Sequence, residues 1–158
     1  MATASNVSLD AEWSFSVKME FNPSSNNYLD VYVISDQENL KGPLNGYFVR
    51  IGNTQDEVSL YKQSGDKSTA LKIIDGLDKQ IDVSPVEITI KITRNSDSQW
   101  ELFLDLDLSG NYVSAGFVVD KDHALSRYFG LVCTYSSTRS NKFYFDDLNI
   151  SGVAFNDS

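Results

Sequence analysis

One cysteine and one histidine are all that 158 residues supply of the side chains most used for disulfides, nucleophiles and transition-metal sites. Cys133 has no partner, so no intrachain disulfide braces the chain. It lies in the apolar run "YFGLVCTY", which predicts a buried, inert thiol rather than a nucleophile. His123, in the polar turn "DKDHALS", has no serine or cysteine beside it in a catalytic motif. One His and one Cys cannot build a zinc site of the usual spacing. No glycine-rich phosphate loop joins a strand to a helix. No apolar stretch approaches the roughly 18 residues of a membrane span, so membrane insertion is not expected. The opening "MATASNVSLD" lacks the basic start and apolar core of a signal peptide. A module excised from a longer protein would begin the same way.

Positive charge is also scarce: 13 Lys and Arg stand against 22 Asp and Glu, a net charge of −9. That balance excludes the basic footprint needed for nucleic acid or an anionic membrane surface, and it suits a neutral ligand or a metal cation. The apolar fraction of 41% and charged fraction of 22% are those of a soluble globular protein. The length suits one domain with a sizeable core, and no linker-like stretch divides it. A single domain over 1–158, with its core over about 13–152, is expected.

Helical periodicity is lacking as well; only "DKDHALSRY" has room for one short helical turn. Alternation with a period of two runs almost throughout. Trp13, Phe15, Val17, Met19 and Phe21 share one face of a strand. Val86, Ile88, Ile90 and Ile92 share another, opposite Glu87, Thr89, Lys91 and Thr93. Trp100, Leu102, Leu104, Leu106 and Leu108 point inward, opposite Glu101, Phe103, Asp105 and Asp107. About ten such strands, separated by turns, predict an all-β fold: a two-sheet antiparallel β-sandwich. No fixed repeat points to a propeller or solenoid.

The segment "FYFDDLNIS" breaks the rhythm, because Phe143 and Phe145 are apolar on odd positions and Leu148 and Ile150 on even ones. A regular strand cannot bury all four on one side. A bulge at Asp146–Asp147 would restore the phase and let all four reach the core.

"GYFVRIG", "LYKQSG" and the terminal "FYFDDLNISG" resemble the concanavalin A-like, laminin G-like jelly rolls. The likeness runs from about Trp13 to Gly152 and is greatest to modules of secreted or surface proteins of Bacteroidetes-type bacteria. It implies a concanavalin A-like jelly roll with a concave face used for carbohydrate or protein binding. It also implies a bacterial, secreted or cell-surface location and further domains in a parent protein.

Hydrolases of this fold of the family 16 type carry Glu, Asp and Glu on alternate positions of one strand. Two carboxyl groups about 5–5.5 Å apart then serve as nucleophile and acid/base. Here the corresponding face reads Glu101, Phe103, Asp105, Asp107, with phenylalanine in the middle position. The chain is therefore expected to be non-enzymatic. As a binder it offers Tyr47, Arg50, Tyr61 and Gln63 on two neighbouring segments, and Tyr135, Arg139 and Asn141 in a loop. Flat aromatic faces pack on sugar rings while polar side chains bond hydroxyls. Taken singly, each reads as a plain sandwich surface residue, Arg50 as half of an ion pair with a neighbouring carboxylate; only as a group on a resembling fold do they point to a binding surface. The expected partner is a polysaccharide or glycan; a protein–protein adhesion or spacer role is the alternative.

Asp146 and Asp147 admit two readings. Either one carboxylate caps the bulge by accepting local N–H bonds, or the pair contributes to a structural calcium site, as an Asp on the last strand does in similar jelly rolls.

Overall fold

A computed structural model describes residues 2–20, 27–81, 86–134 and 143–154. Among them the strands are β1 (Ala2–Ala4), β2 (Val7–Met19), β3 (Tyr28–Ser35), β4 (Leu44–Ile51), β5 (Val58–Gly65), β6 (Leu71–Ile74), β7 (Val86–Arg94), β8 (Gln99–Asp105), β9 (Val113–Val119), β10 (Tyr128–Thr134) and β11 (Phe143–Ala154). They form two antiparallel sheets, one of six strands in the order β1-β10-β3-β4-β5-β6 and one of five in the order β11-β2-β7-β8-β9. The chain is a two-sheet antiparallel sandwich, as its period of two dictates.

The inward face of β2 supplies Trp13, Phe15, Val17 and Met19, all buried, while Ser14, Ser16 and Lys18 between them stay half-exposed. Ile88, Ile90 and Ile92 of β7 and Trp100, Leu102 and Leu104 of β8 continue the same layer. Val31, Val33, Val49, Ile51, Val58 and Leu60 answer from the six-stranded sheet. Trp13 and Trp100 stack with ring centroids 5.7 Å apart, and Tyr47 packs on Trp100 at 4.4 Å.

The two outer faces differ. On β3 nearly every residue is buried, so the six-stranded sheet is covered on both sides. A second apolar cluster of Tyr32, Leu40, Leu44, Phe48 and Val132 lies on that outer face. The 3₁₀ turn Lys67–Thr69, whose N-cap Asp66 accepts from Ser68 N–H, brings Lys67 over the rings of Tyr32 and Phe48. The five-stranded sheet keeps its outward positions in contact with solvent.

Several expectations are corrected. The helical turn is at 67–69, not in "DKDHALSRY", whose residues 120–127 are irregular. Leu106 and Leu108 are 40% and 48% exposed, because β8 ends at Asp105 and the chain turns away from the core. Cys133 is exposed rather than buried. It lies near the end of β10, beyond the three-residue β1 that pairs only with Tyr128–Gly130. Desolvation by its neighbours still raises its pKa, so the thiol is not an activated nucleophile.

The phase change in "FYFDDLNIS" is a bulge. Asp146 pairs with Ser16 and Asn149 with Ser14, so Asp147 and Leu148 together face Phe15. Asp147 takes a positive φ of 56°, and its N–H donates to Asp146 Oδ1 at 2.8 Å. Phe145 and Ile150 thereby pack against the core, Phe145 on Phe15 at 5.1 Å. Leu148, at the bulge itself, is 39% exposed and does not join them. The side chain of Phe143 and the whole of Phe21 lie outside the described residues.

Candidate functional site

Strand alternation on β7, β8 and β2 places Thr89, Lys91, Thr93, Glu101, Phe103, Ser14, Ser16 and Lys18 on the open face of the five-stranded sheet. Lys91 and Phe103 are direct cross-strand partners. The Lys91 ammonium lies 4.6 Å from the Phe103 ring centroid and 4.5 Å from that of Tyr112, so two half-exposed rings flank one cation. Tyr112 comes from the β8–β9 loop. Burial raises its pKa, and the nearby carboxylates Asp105 and Glu12 add to the shift. On β9 a register shift between Ser114 and Gly116, the latter with a positive φ of 134°, sets Ser114 opposite Phe103 and Phe117 opposite Glu101. Ser114 Oγ donates to Glu101 Oε2 at 2.7 Å, and Phe117 is 68% exposed. A strip of aromatic rings interleaved with a cation, a carboxylate and hydroxyls therefore runs across three elements.

Beside it opens a cleft of about 570 Å³ lined by Ser16, Lys18, Glu87, Thr89, Tyr144 and Asp146, among others. Asp105 and Asp147 also border it. Asp105 is committed to the fold, for its two carboxylate oxygens accept from Ser109 N–H at 3.1 Å and Gly110 N–H at 2.7 Å. Asp107 is exposed, and hydrogen bonding with Ser109 and Asp105 holds its carboxyl below the usual range. Asp146 caps the bulge, and both it and Asp147 are exposed. Among the described residues, no third carboxylate or imidazole groups with this pair, and backbone carbonyls and water are the other donors that calcium takes.

β4 and β5 are direct neighbours, so Tyr47, Arg50, Tyr61 and Gln63 are brought close but not onto one surface. Tyr47 points into the sandwich and is fully buried; its hydroxyl donates to Asp120 Oδ1 at 2.6 Å and accepts from His123 N–H. Gln63 is also fully buried, accepting from Tyr32 O–H at 2.6 Å and donating to Gly65 O at 2.9 Å. Arg50 and Tyr61 lie on the covered face of the six-stranded sheet. The Arg50 guanidinium sits 4.3 Å from the Tyr28 ring centroid and 5.2 Å from that of Tyr61. It donates through Nε and Nη2 to the fully buried Asp30, at 2.7 and 3.1 Å. The ion-pair reading of Arg50 is the observed one, and Tyr47 and Gln63 have no surface left for a ligand. Tyr135, Arg139 and Asn141 lie outside the described residues.

Sequence reading passed over Tyr112 and Phe117 as site residues, and it noted Phe103 only as the loss of a carboxylate. An outward phenylalanine between Glu101 and Asp105 was the available signal. His123 also has a neighbour that the sequence does not announce, since Ser64 Oγ and His123 Nε2 meet at 2.7 Å. Among the hydrogen bonds of the described residues none orients Nδ1 of His123, so the third part of a nucleophilic triad is not in place.

No protein-family profile matches the chain, and neither does any curated protein. Solved structures do. The carbohydrate-binding module CBM66 from Bacillus subtilis superposes with a TM-score of 0.63 at 16% identity, over 96% of this chain and 78% of that one. The exoplasmic/lumenal domain of VIP36, in a form bound to Ca2+ and Man3GlcNAc, gives 0.63 at 11% identity, over 97% and 73%. A GH43 glycoside hydrolase gives 0.58 at 6% identity over 96% of this chain but only 31% of its own. At such identities the likeness shows the fold: the chain shares its sandwich with carbohydrate-binding modules and lectin-like domains.

Proposed function

We propose that the chain is a non-catalytic carbohydrate-binding module whose ligand lies across the open face of the five-stranded sheet. The observation that carries this reading is the strip Phe103–Lys91–Tyr112 with the exposed Phe117, continuous with the cleft at Thr89 and Asp105. Rings of this kind offer C–H-facing contact area to a sugar at little entropic cost. Lys91, Glu101, Ser114, Ser16 and Thr89 supply donors and acceptors for hydroxyl groups. The lectin and binding-module neighbours support the same reading, as does a net charge of −9, which disfavours polyanionic partners. Within it, the chain acts in a secreted or cell-surface bacterial protein, tethering other domains to a glycan. Hydrolysis is disfavoured because Asp105 is tied to two backbone amides and the Asp107 carboxyl is held low rather than raised, as a general acid needs.

Affinity electrophoresis through polysaccharide gels, with calcium present, tests the proposal. Wild-type protein should be retarded by at least one neutral polysaccharide. Phe103→Ala combined with Phe117→Ala should weaken that binding by about tenfold or more, or about 1.4 kcal/mol, without a comparable loss of thermal stability. A second reading, a protein–protein adhesion module, is favoured by one feature: β9 is an edge strand exposing Val113, Phe117 and Val119. It predicts no retardation on any polysaccharide.

A further inference from the structure

At the end of the six-stranded sheet, the β4–β5 loop and the β6–β7 connection meet. Lys79 N–H donates to Gln55 O at 2.7 Å, and Ile81 N–H donates to Asp56 O at 3.1 Å. Gly76 makes the close approach possible, since a Cβ there would stand 2.0 Å from Val58 O. This crossing gathers three carboxylates, Glu57, Asp75 and Asp78, with one oxygen of each within 4.8 Å of the others. Two oxygens on opposite sides of one calcium ion, each bonded at about 2.3–2.6 Å, span a similar distance. Asp75 and Asp78 are exposed, but Glu57 is fully buried. Its Oε1 accepts from Asn53 Nδ2 and from the Lys72 ammonium, whereas its Oε2 is buried with no hydrogen-bond partner. A buried carboxylate oxygen without a donor is costly unless a cation meets it.

We infer that Glu57, Asp75 and Asp78 form a site for a hard divalent cation of the calcium class, for which the Lys72 ammonium is the competing internal ion. Three carboxylates outnumber the single ammonium, which also lies 3.3 Å from Asp75 Oδ1. All-oxygen donors on two loops suit calcium, with water filling the remaining positions. The Lys72 side chain is 30% exposed and free to swing outward when the ion enters. A bound ion would fasten the two loops and stabilise the folded chain in proportion to its occupancy. The site shares no residue with Asp146–Asp147 or with the cleft on the five-stranded face.

The test is thermal unfolding of the full chain in CaCl2 and in MgCl2 at about 1–10 mM, with ionic strength held constant by NaCl. Calcium should raise the wild-type melting temperature more than magnesium does. The rise should vanish in the double variant Asp75→Asn, Asp78→Asn, whose exposed positions leave the core intact. Lys72→Met should tighten calcium binding about tenfold, since the competing charge is gone. Tb3+ luminescence sensitised by Tyr61, whose ring centroid is 6.0 Å from Lys72 Nζ, should appear in the wild type and be lost in the double variant. No calcium-specific rise in the wild type, or one undiminished in the double variant, overturns the assignment and leaves an internal ion pair only.

Discussion

Replacing Asp30 by asparagine is expected to destabilise the fold by about 2–3 kcal/mol, lowering the melting temperature by roughly 5–10 °C. Asp30 is fully buried beneath the cover of the six-stranded sheet. It accepts two bonds from Arg50, and Lys67 Nζ lies 2.9 Å from its second oxygen. An amide in its place would keep the shape but leave two cations among the rings of Tyr28, Tyr32, Phe48 and Tyr61 with no anion. Breaking a fully buried pair typically costs about 3–5 kcal/mol. Arg50 and Lys67 are 20% and 25% exposed, so water recovers part of that loss. Because the anion is buried, about 0.5 M salt should screen the difference only weakly. Urea unfolding of the two proteins checks this, and a difference below about 0.5 kcal/mol would mean the network contributes little.

Arg94→Ala is expected to cost more, about 3–4 kcal/mol. Arg94 is 1% exposed, and among the described residues it forms no salt bridge. Burial accordingly pushes its pKa down, against the pull of Tyr47 and Asp120. Its guanidinium donates to His123 O at 2.8 Å and Asp120 O at 3.2 Å, and it packs 4.8 Å from the Trp100 ring centroid. One side chain thus staples residues 120–123 across the end of the sandwich. Alanine leaves a cavity and takes the Arg94 donor from His123 O, while Asp120 O keeps the Trp100 Nε1–H at 3.2 Å. Arg94→Lys should recover less than half, since an ammonium lacks the planar fork that reaches both carbonyls. Hydrogen exchange at the Asp122 and His123 amides, which donate to Asp120 Oδ1 and to the Tyr47 hydroxyl, should accelerate before the rest of the sheet. Uniform exchange rates and a loss under about 1 kcal/mol would contradict the staple.

The same end of the molecule carries a pH dependence. Burial acts to raise the pKa of Asp120, but hydrogen bonds from Tyr47 and Lys62 outweigh it, and the folded value lies below the ordinary one. A lowered folded value means that the stability Asp120 contributes is present in full above the ordinary carboxylate range, near about pH 4. It is lost as pH falls through the lowered value.

The sandwich was legible because its core strands obey a strict period of two. Trp13 to Met19, Val86 to Ile92 and Trp100 to Leu104 each place their apolar residues on one face, and a strand so patterned has one way to bury it. The bulge was legible for the same reason, since a strand with Phe145 and Ile150 out of phase needs either an extra residue or cover on both faces, and the extra residue is what is found. The site was not. Tyr47 and Arg50 differ by three positions, so on one strand they must point to opposite faces; grouping them followed nearness in sequence rather than parity. Which outer face is covered depends on where the segment holding Leu40 and the turn at Lys67 fold back, and no local pattern encodes that. Phe117 stayed hidden because the irregularity at Gly116 shifts the phase of β9 partway along it. Glu57, Asp75 and Asp78 converge only through the crossing of two loops.

The most direct measurement follows the amide spectrum of the 15N-labelled chain during titration with a glycan that retards it in a gel. Binding on the open face predicts shifts at Thr89, Lys91, Phe103, Tyr112, Ser114 and Phe117, with little change at Tyr28, Arg50 and Tyr61. Shifts confined to that second group, or no retention on any glycan with calcium present, would contradict it.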